Sequence, residues 1–227
     1  MTTDQRADLE WRDGVTPVSR RFDDPYFSVE DGLAETRHVF LAGNGLPDRF
    51  FPGFHIAELG FGTGLNMFAA LAEWQAAGIA GPLRFTSFEA YPMRADDMAR
   101  ALAAFPGLLA LAAPFLERWQ QGHTSIETDA LIVDVRVGDA RALLPRWSAR
   151  ADAWFLDGFA PARNPELWEV DLMRQVGAHT AVGGTCATYT AAGFVRRSLE
   201  DAGFEVTRVQ GYGRKRHMTT GLMKGQP

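Results

Sequence analysis

The stretch Glu58-Leu59-Gly60-Phe61-Gly62-Thr63-Gly64 constrains the fold of this chain more than any other. A short apolar run precedes it, and Leu65, Phe68, Ala69, Leu71 and Ala72 follow it at helical spacing. It reads as a strand, a tight turn and a helix. Glycine permits such a turn because it tolerates φ > 0, and the missing Cβ lets a ligand approach the main chain. The spacing is Gly-x-Gly-x-Gly, with Leu65 where the dinucleotide-binding Gly-x-Gly-x-x-Gly needs its third glycine. That disfavours a pyrophosphate seat, and with it a nicotinamide-dependent dehydrogenase.

The strand-then-helix pattern continues downstream. Strands are expected over 54–59, 83–89, 131–138, 153–156, 184–189, 204–209 and 218–223. Helices are expected over 65–77, 95–104, 108–120, 165–176 and 191–202, with shorter ones near 30–41 and after 138. This alternation predicts an α/β fold with helices on both faces of a mostly parallel sheet. Residues 51–227 are expected to form the domain, and residues 1–50 an N-terminal extension packed on its core. Ligands on open α/β sheets bind beyond the carboxyl ends of the strands. The residues that end strands are therefore the candidates for chemistry.

Acidic residues stand at four of those ends. Glu58 precedes the glycine turn. Glu89 closes the second strand, where a carboxylate can accept both ribose hydroxyls of a nucleoside. Asp139 follows the third, placed to accept an adenine amino group. Asp157 ends the fourth and opens Asp157-Gly158-Phe159-Ala160-Pro161-Ala162-Arg163-Asn164-Pro165-Glu166-Leu167-Trp168. A helix start explains Asn164-Pro165, with Asn164 capping and Pro165 at the first helical position. It leaves Asp157-Gly158-Phe159 unexplained.

An acid before a Gly-x-Gly-x-Gly turn resembles the first motif of class I methyltransferases, which have a Rossmann-like α/β fold. Residues 58–66, 87–89, 155–168, 188–197 and 211–217, together with Phe22-Asp23-Asp24-Pro25-Tyr26-Phe27-Ser28, resemble a narrower family. This is the methyltransferase component of bacterial tRNA 5-methylaminomethyl-2-thiouridine biosynthesis, found as the N-terminal half of MnmC or as stand-alone MnmD. The resemblance implies S-adenosyl-L-methionine as cofactor, held by Glu58, Gly60, Gly62, Gly64, Asn66, Glu89, Asp139 and Asp157. It also implies methyl transfer to the primary amine of 5-aminomethyl-2-thiouridine at the wobble position. Asp157, Phe159 and Tyr26 are the catalytic candidates. An exposed Asp, with a pKa of about 3.9, is a poor base toward an amine, so Asp157 is assigned to position the amine first and to take its proton second. Tyr26, Phe159 and Trp168 are placed to stack on an extruded base, with core packing an equal role for Trp168. Arg163, Arg196, Arg197, Arg214, Lys215 and Arg216 are candidates for tRNA phosphates near the anticodon. Fused members of the family carry a flavin-dependent oxidoreductase portion. Its counterpart is not among these 227 residues, so FAD is not expected and the oxidoreductase is a separate or fused partner. A methyltransferase acting on another amine, protein or small molecule, remains the alternative. A non-catalytic tRNA-binding protein would not need the four acids together.

Composition narrows the setting. Cys186 is the only cysteine, which rules out an intrachain disulfide and a cysteine-cluster zinc site. It is expected as a buried strand residue. The five histidines lack metal-ligand spacing, so no metal is expected. From Arg141 onward the chain carries 12 basic and 8 acidic side chains, a net +4, which leaves −9 on residues 1–140. The asymmetry fits an anionic partner on one side. There is no signal-peptide pattern at the start and no apolar run near the roughly 20 residues a membrane span needs, so a cytoplasmic protein with no membrane partner is expected.

Overall fold

The computed structural model describes residues 5–28 and 31–225. Its first elements are strands β1 (Leu9–Arg12), β2 (Thr16–Ser19) and β3 (Asp24–Pro25), which form a small antiparallel sheet of their own. Asp13 and Gly14 both adopt positive φ in the loop between β1 and β2, the backbone that Asp-Gly favours in hairpins. Arg12-Asp13-Gly14 carries a turn signal in the sequence, but the strands on either side are too short to show a period. Helix α1 (Gly32–Thr36) follows, capped by the Asp31 carboxylate, and runs into a π-helical turn over Arg37–Leu41.

The main sheet begins with β4 (His55–Leu59). After it come α2 (Leu65–Ala76), β5 (Leu83–Glu89), α3 (Ala95–Leu102), α4 (Pro106–Gln120), β6 (Ser125–Glu127), β7 (Leu131–Val137) and α5 (Ala140–Leu143). The chain continues through β8 (Ala151–Leu156), α6 (Val170–Ala178), β9 (Thr180–Thr188), α7 (Gly193–Asp201), β10 (Phe204–Gln210) and β11 (His217–Met223). Strand order is β10-β11-β9-β8-β4-β5-β7-β6. The central strands β9, β8, β4, β5 and β7 are parallel, while β6, β11 and β10 run antiparallel to their neighbours. The order reverses between β4 and β8, and that is where such sheets open a crevice.

Each face of the sheet carries its own core. On one side Phe54, Phe68, Trp74, Phe85 and Phe115 pack together, joined by Val39, Phe40, Leu41 and Phe50 from the N-terminal segment. On the other, Trp147, Trp154, Leu172, Val176 and Leu199 pack beneath α5, α6 and α7. Cys186 is fully buried on β9. Among the described residues no helix is long and apolar enough to cross a membrane.

Four expectations need correction. The helix expected over 165–176 is two pieces, a 3-10 turn over Pro165–Trp168 and then α6, separated at Glu169, whose backbone is extended. Asn164 precedes the turn but makes no side-chain cap. The physical cause is Trp168: its ring is buried and its indole N–H donates to the Phe159 carbonyl at 2.9 Å, and that anchoring overrides local helix propensity. Trp168 is therefore a support for the Phe159 loop and not a stacking surface. Strand β9 begins at Thr180 rather than near Gly184, with a register shift against β8 near Gly183 and Gly184 that reads in sequence as a turn.

Candidate active site

The carboxyl ends of β4, β5, β7 and β8 open into a cavity of about 560 Å³, in the range that holds a small-molecule ligand. Gly60 sits directly across the switch point. Its φ is +92°, and a Cβ there would collide with the Asp157 carbonyl, so glycine is required to bring the two strand ends together. Gly62 is also left-handed, with the Tyr26 ring 3.0 Å from where its Cβ would stand. Gly64 caps α2, where a Cβ would meet Phe68, Met98 and Phe61, and it is not among the residues that line the cavity.

Glu89 is buried at the end of β5. Its Oε2 accepts the Gly62 N–H at 2.9 Å and its Oε1 accepts the Tyr91 N–H at 2.7 Å. The Phe61 and Ala90 N–H groups also stabilise its charge, and Glu89 borders the cavity. Burial raises its pKa, against the pull of these N–H groups. Asp139 also borders the cavity, but Arg141 occupies it: the guanidinium bonds both oxygens at 2.7–3.1 Å, and the Arg141 N–H caps onto Oδ1. Those hydrogen bonds hold the Asp139 carboxyl below its ordinary range. A glycine cradle beside a carboxylate held in place by main-chain N–H groups fits the nucleoside end of S-adenosyl-L-methionine.

The other half of the cavity is built around Asp157. Burial pushes its carboxyl up to about 7, aided by the negative charges of Glu35 and Asp24 and opposed by the Asn66 amide and the Lys215 ammonium. Phe159 lies in an aromatic group, stacked on Phe22 with ring centroids 4.7 Å apart and edge-on to Tyr26 at 4.9 Å. The loop that carries Phe159 is held at three points. Tyr189 Oη donates to the Gly158 carbonyl at 2.7 Å, the Ala160 N–H donates to Asp24 at 2.9 Å, and Trp168 holds Phe159 from below.

Not every residue singled out in the sequence reaches this cavity. Glu58 is 1% exposed and lies beneath the floor, accepting from Ser87 Oγ at 2.7 Å and from the Asn66 amide at 3.0 Å. Burial raises its pKa well above the ordinary range. Lys215 is at the cavity rim, paired with Glu35 at 2.7 Å and 4.0 Å above the Tyr189 ring, in contact with protein groups where a phosphate was expected. Arg214 lines the same rim. Arg163 pairs with Asp23 at the surface, Arg196 is half-buried on α7, and Arg197 and Arg216 are exposed. The sequence reading missed Asp24, Glu35, Thr36 and Tyr189 as site residues. Asp24 and Tyr189 fall in stretches that carried the resemblance; Glu35 and Thr36 gave no local signal.

Residues 108–224 match a family of S-adenosyl-L-methionine-dependent methyltransferases. The tRNA 5-methylaminomethyl-2-thiouridine biosynthesis bifunctional protein MnmC of Pseudomonas paraeruginosa is 43% identical over 241 residues, an alignment that covers all of this chain and 36% of that protein. Its namesake from Pseudomonas fluorescens is 43% identical over 97% of this chain and 35% of its own length. The chain thus spans about a third of these relatives. Among solved structures, MnmC2 from Aquifex aeolicus superposes with a TM-score of 0.76 at 24% identity, over all of this chain and 74% of that one. TrmN from Thermus thermophilus gives 0.54 at 19% identity, over 92% and 54%. At these identities the two structures speak for the fold alone.

Proposed function

The chain belongs to the S-adenosyl-L-methionine-dependent methyltransferases, and from that premise we propose that it methylates the primary amine of 5-aminomethyl-2-thiouridine at the wobble position of tRNA, giving the methylaminomethyl form. The observation that carries the reading is Asp157, a half-buried carboxylate pushed up to about 7, in the same cavity as an aromatic group and at the switch point. The acceptor assignment draws on the 43% identity to proteins named for that tRNA modification.

When bound, S-adenosyl-L-methionine supplies an electrophilic methyl group on its sulfonium. Gly60, Gly62 and Glu89 would hold it, with Glu89 accepting the ribose hydroxyls and Asp139 at the far end. Glu58 and Gly64 act from beneath, shaping the turn. An amine near pKa 10 enters as an ammonium and must lose a proton before it can attack. Asp24, Glu35 and Asp157 make that side of the cavity attractive to a cation. Asp157 then accepts the proton. A carboxylate at about 7 is closer to the amine by about three pKa units than an exposed one, so the transfer is correspondingly less uphill.

Phe159, Tyr26 and Phe22 offer apolar faces against which an extruded uracil can stack. The N-terminal fifty residues serve this acceptor side, while residues 51–227 hold the cofactor. Arg163, Arg196, Arg197, Arg214 and Arg216 meet tRNA phosphates around the anticodon. The oxidoreductase activity of the bifunctional relatives belongs to a partner, fused or separate. A tRNA substrate places the reaction in the cytoplasm. Incubation with S-adenosyl-L-methionine and tRNA bearing the aminomethyl group, followed by mass spectrometry of the wobble nucleoside, is the test. A gain of one methyl is expected. An unchanged nucleoside overturns the substrate assignment.

A further inference from the structure

Asn66 makes more polar contacts than a turn residue needs. It sits in the first turn of α2, 5% exposed, and both ends of its side-chain amide are engaged. The NH₂ group donates to Asp157 Oδ2 at 2.6 Å and to Glu58 Oε1 at 3.0 Å, while Oδ1 accepts from Thr36 Oγ1 at 2.9 Å. Two flanking carboxylates require the NH₂ end between them, so the amide orientation is determined by its partners. Glu58 is itself held by Ser87 Oγ at 2.7 Å. The chain Ser87–Glu58–Asn66–Asp157, with Thr36 at the side, links β5, β4, α2, the end of β8 and α1.

We propose that Asn66 is the positioning residue for Asp157, a two-armed clamp that Glu58 and Thr36 lock in one orientation and that aims the free edge of the carboxylate at the acceptor amine. This rests on the acceptor-site reading above and replaces the cofactor contact expected for Asn66 from sequence. A clamp that donates to the carboxylate favours its charged form, so Asn66 sets when Asp157 ionises as well as where it points. The other titratable groups around Asp157 are Asp24, Glu35, Glu58, Glu89, Lys215, Tyr26 and Tyr189. None of them donates a hydrogen bond to its oxygens among the described contacts, which leaves Asn66 as the neutral donor.

The test is a carbon-13 NMR titration of aspartate carboxyls in the cofactor-free protein, with the Asp157 resonance assigned by its loss in Asp157→Asn. Wild type is expected to titrate near 7. In Asn66→Ala the midpoint rises by about one to two pH units, the size of a hydrogen bond to a charged group. Thr36→Val keeps the side-chain shape, removes the lock and shifts the midpoint the same way by less. It decides the matter if Asn66→Ala does not fold. Calorimetric affinity for S-adenosyl-L-methionine stays within about threefold in both variants. An unshifted Asp157 midpoint, or lost cofactor affinity without a shift, overturns the assignment. If methyl transfer survives intact in Asp157→Asn, the acceptor-site reading itself fails, whatever the titration shows.

Discussion

Replacing Asp157 by Asn is expected to slow methyl transfer and to stabilise the protein, and the two effects have one cause. The carbonyl of the new side chain can keep the hydrogen bond that Oδ2 now accepts from Asn66 at 2.6 Å. Its NH₂ then faces the acceptor site, a donor meeting a donor, with no base to receive the proton. General-base catalysis is worth about 10²–10⁴-fold, so single-turnover rates at saturating cofactor fall by that factor. A smaller loss means that Asp157 orients the amine and solvent takes the proton. The stability change follows from linkage. Asp157 ionises near 7 in the folded protein and near 3.9 in an unfolded chain. A carboxyl that is harder to ionise when folded contributes stability that is complete below about pH 4 and is lost as pH rises to about 7. At about 1.36 kcal/mol per unit, and with Asp157 half-ionised in the folded protein at pH 7, wild type loses about 2 kcal/mol between pH 5 and pH 7 that the asparagine variant keeps. Urea unfolding of both proteins at pH 5, 7 and 8 reads this directly. Stability profiles that stay parallel across that range refute a raised Asp157.

Glu89→Ala should weaken S-adenosyl-L-methionine binding more than Asp139→Ala, by roughly 10- to 100-fold against roughly tenfold or less, because main-chain N–H groups hold Glu89 at the cavity while the Arg141 guanidinium covers both oxygens of Asp139. Calorimetric titration checks the order, and equal losses would contradict it. Gly60→Ala should lower the melting temperature and abolish cofactor binding together, since its Cβ would meet the Asp157 carbonyl at a left-handed backbone position. A variant that folds and binds normally would show that the strand ends are not in contact. Replacing Arg214 and Arg216 by Ala should weaken tRNA binding broadly and lower the slope of log K against log salt by about 0.7–0.9 per lost phosphate contact. Adding Lys215→Ala should change the slope little further, because that ammonium is paired with Glu35.

The sheet was legible because its signals are local. Apolar runs ending in acids marked β4, β5, β7 and β8 to within two residues, and the glycine turn announced α2. Burial of those runs and the φ > 0 turn depend on residues adjacent in the chain, so a single sequence carries them. The N-terminal sheet was not legible, since strands of two to four residues show no period. The helix after Pro165 was misread because the Trp168 ring is fixed by a contact with Phe159 that no local propensity encodes.

For the site, the chain alone determined which carboxylates stand at the strand ends and that a ligand approaches the glycines. The tertiary structure decided what each acid can do. Glu58 and Asp157 both stand at the carboxyl ends of apolar strands, yet one is sealed beneath the floor and the other opens into the cavity. Glu89 is held by main-chain N–H groups while Asp139 is taken by the Arg141 guanidinium. Asp24 and Glu35, more than 120 residues upstream of Asp157, contribute the charge that helps hold it near 7. A pKa depends on dielectric and on charges within a few ångströms in space, and separation along the chain does not set those distances.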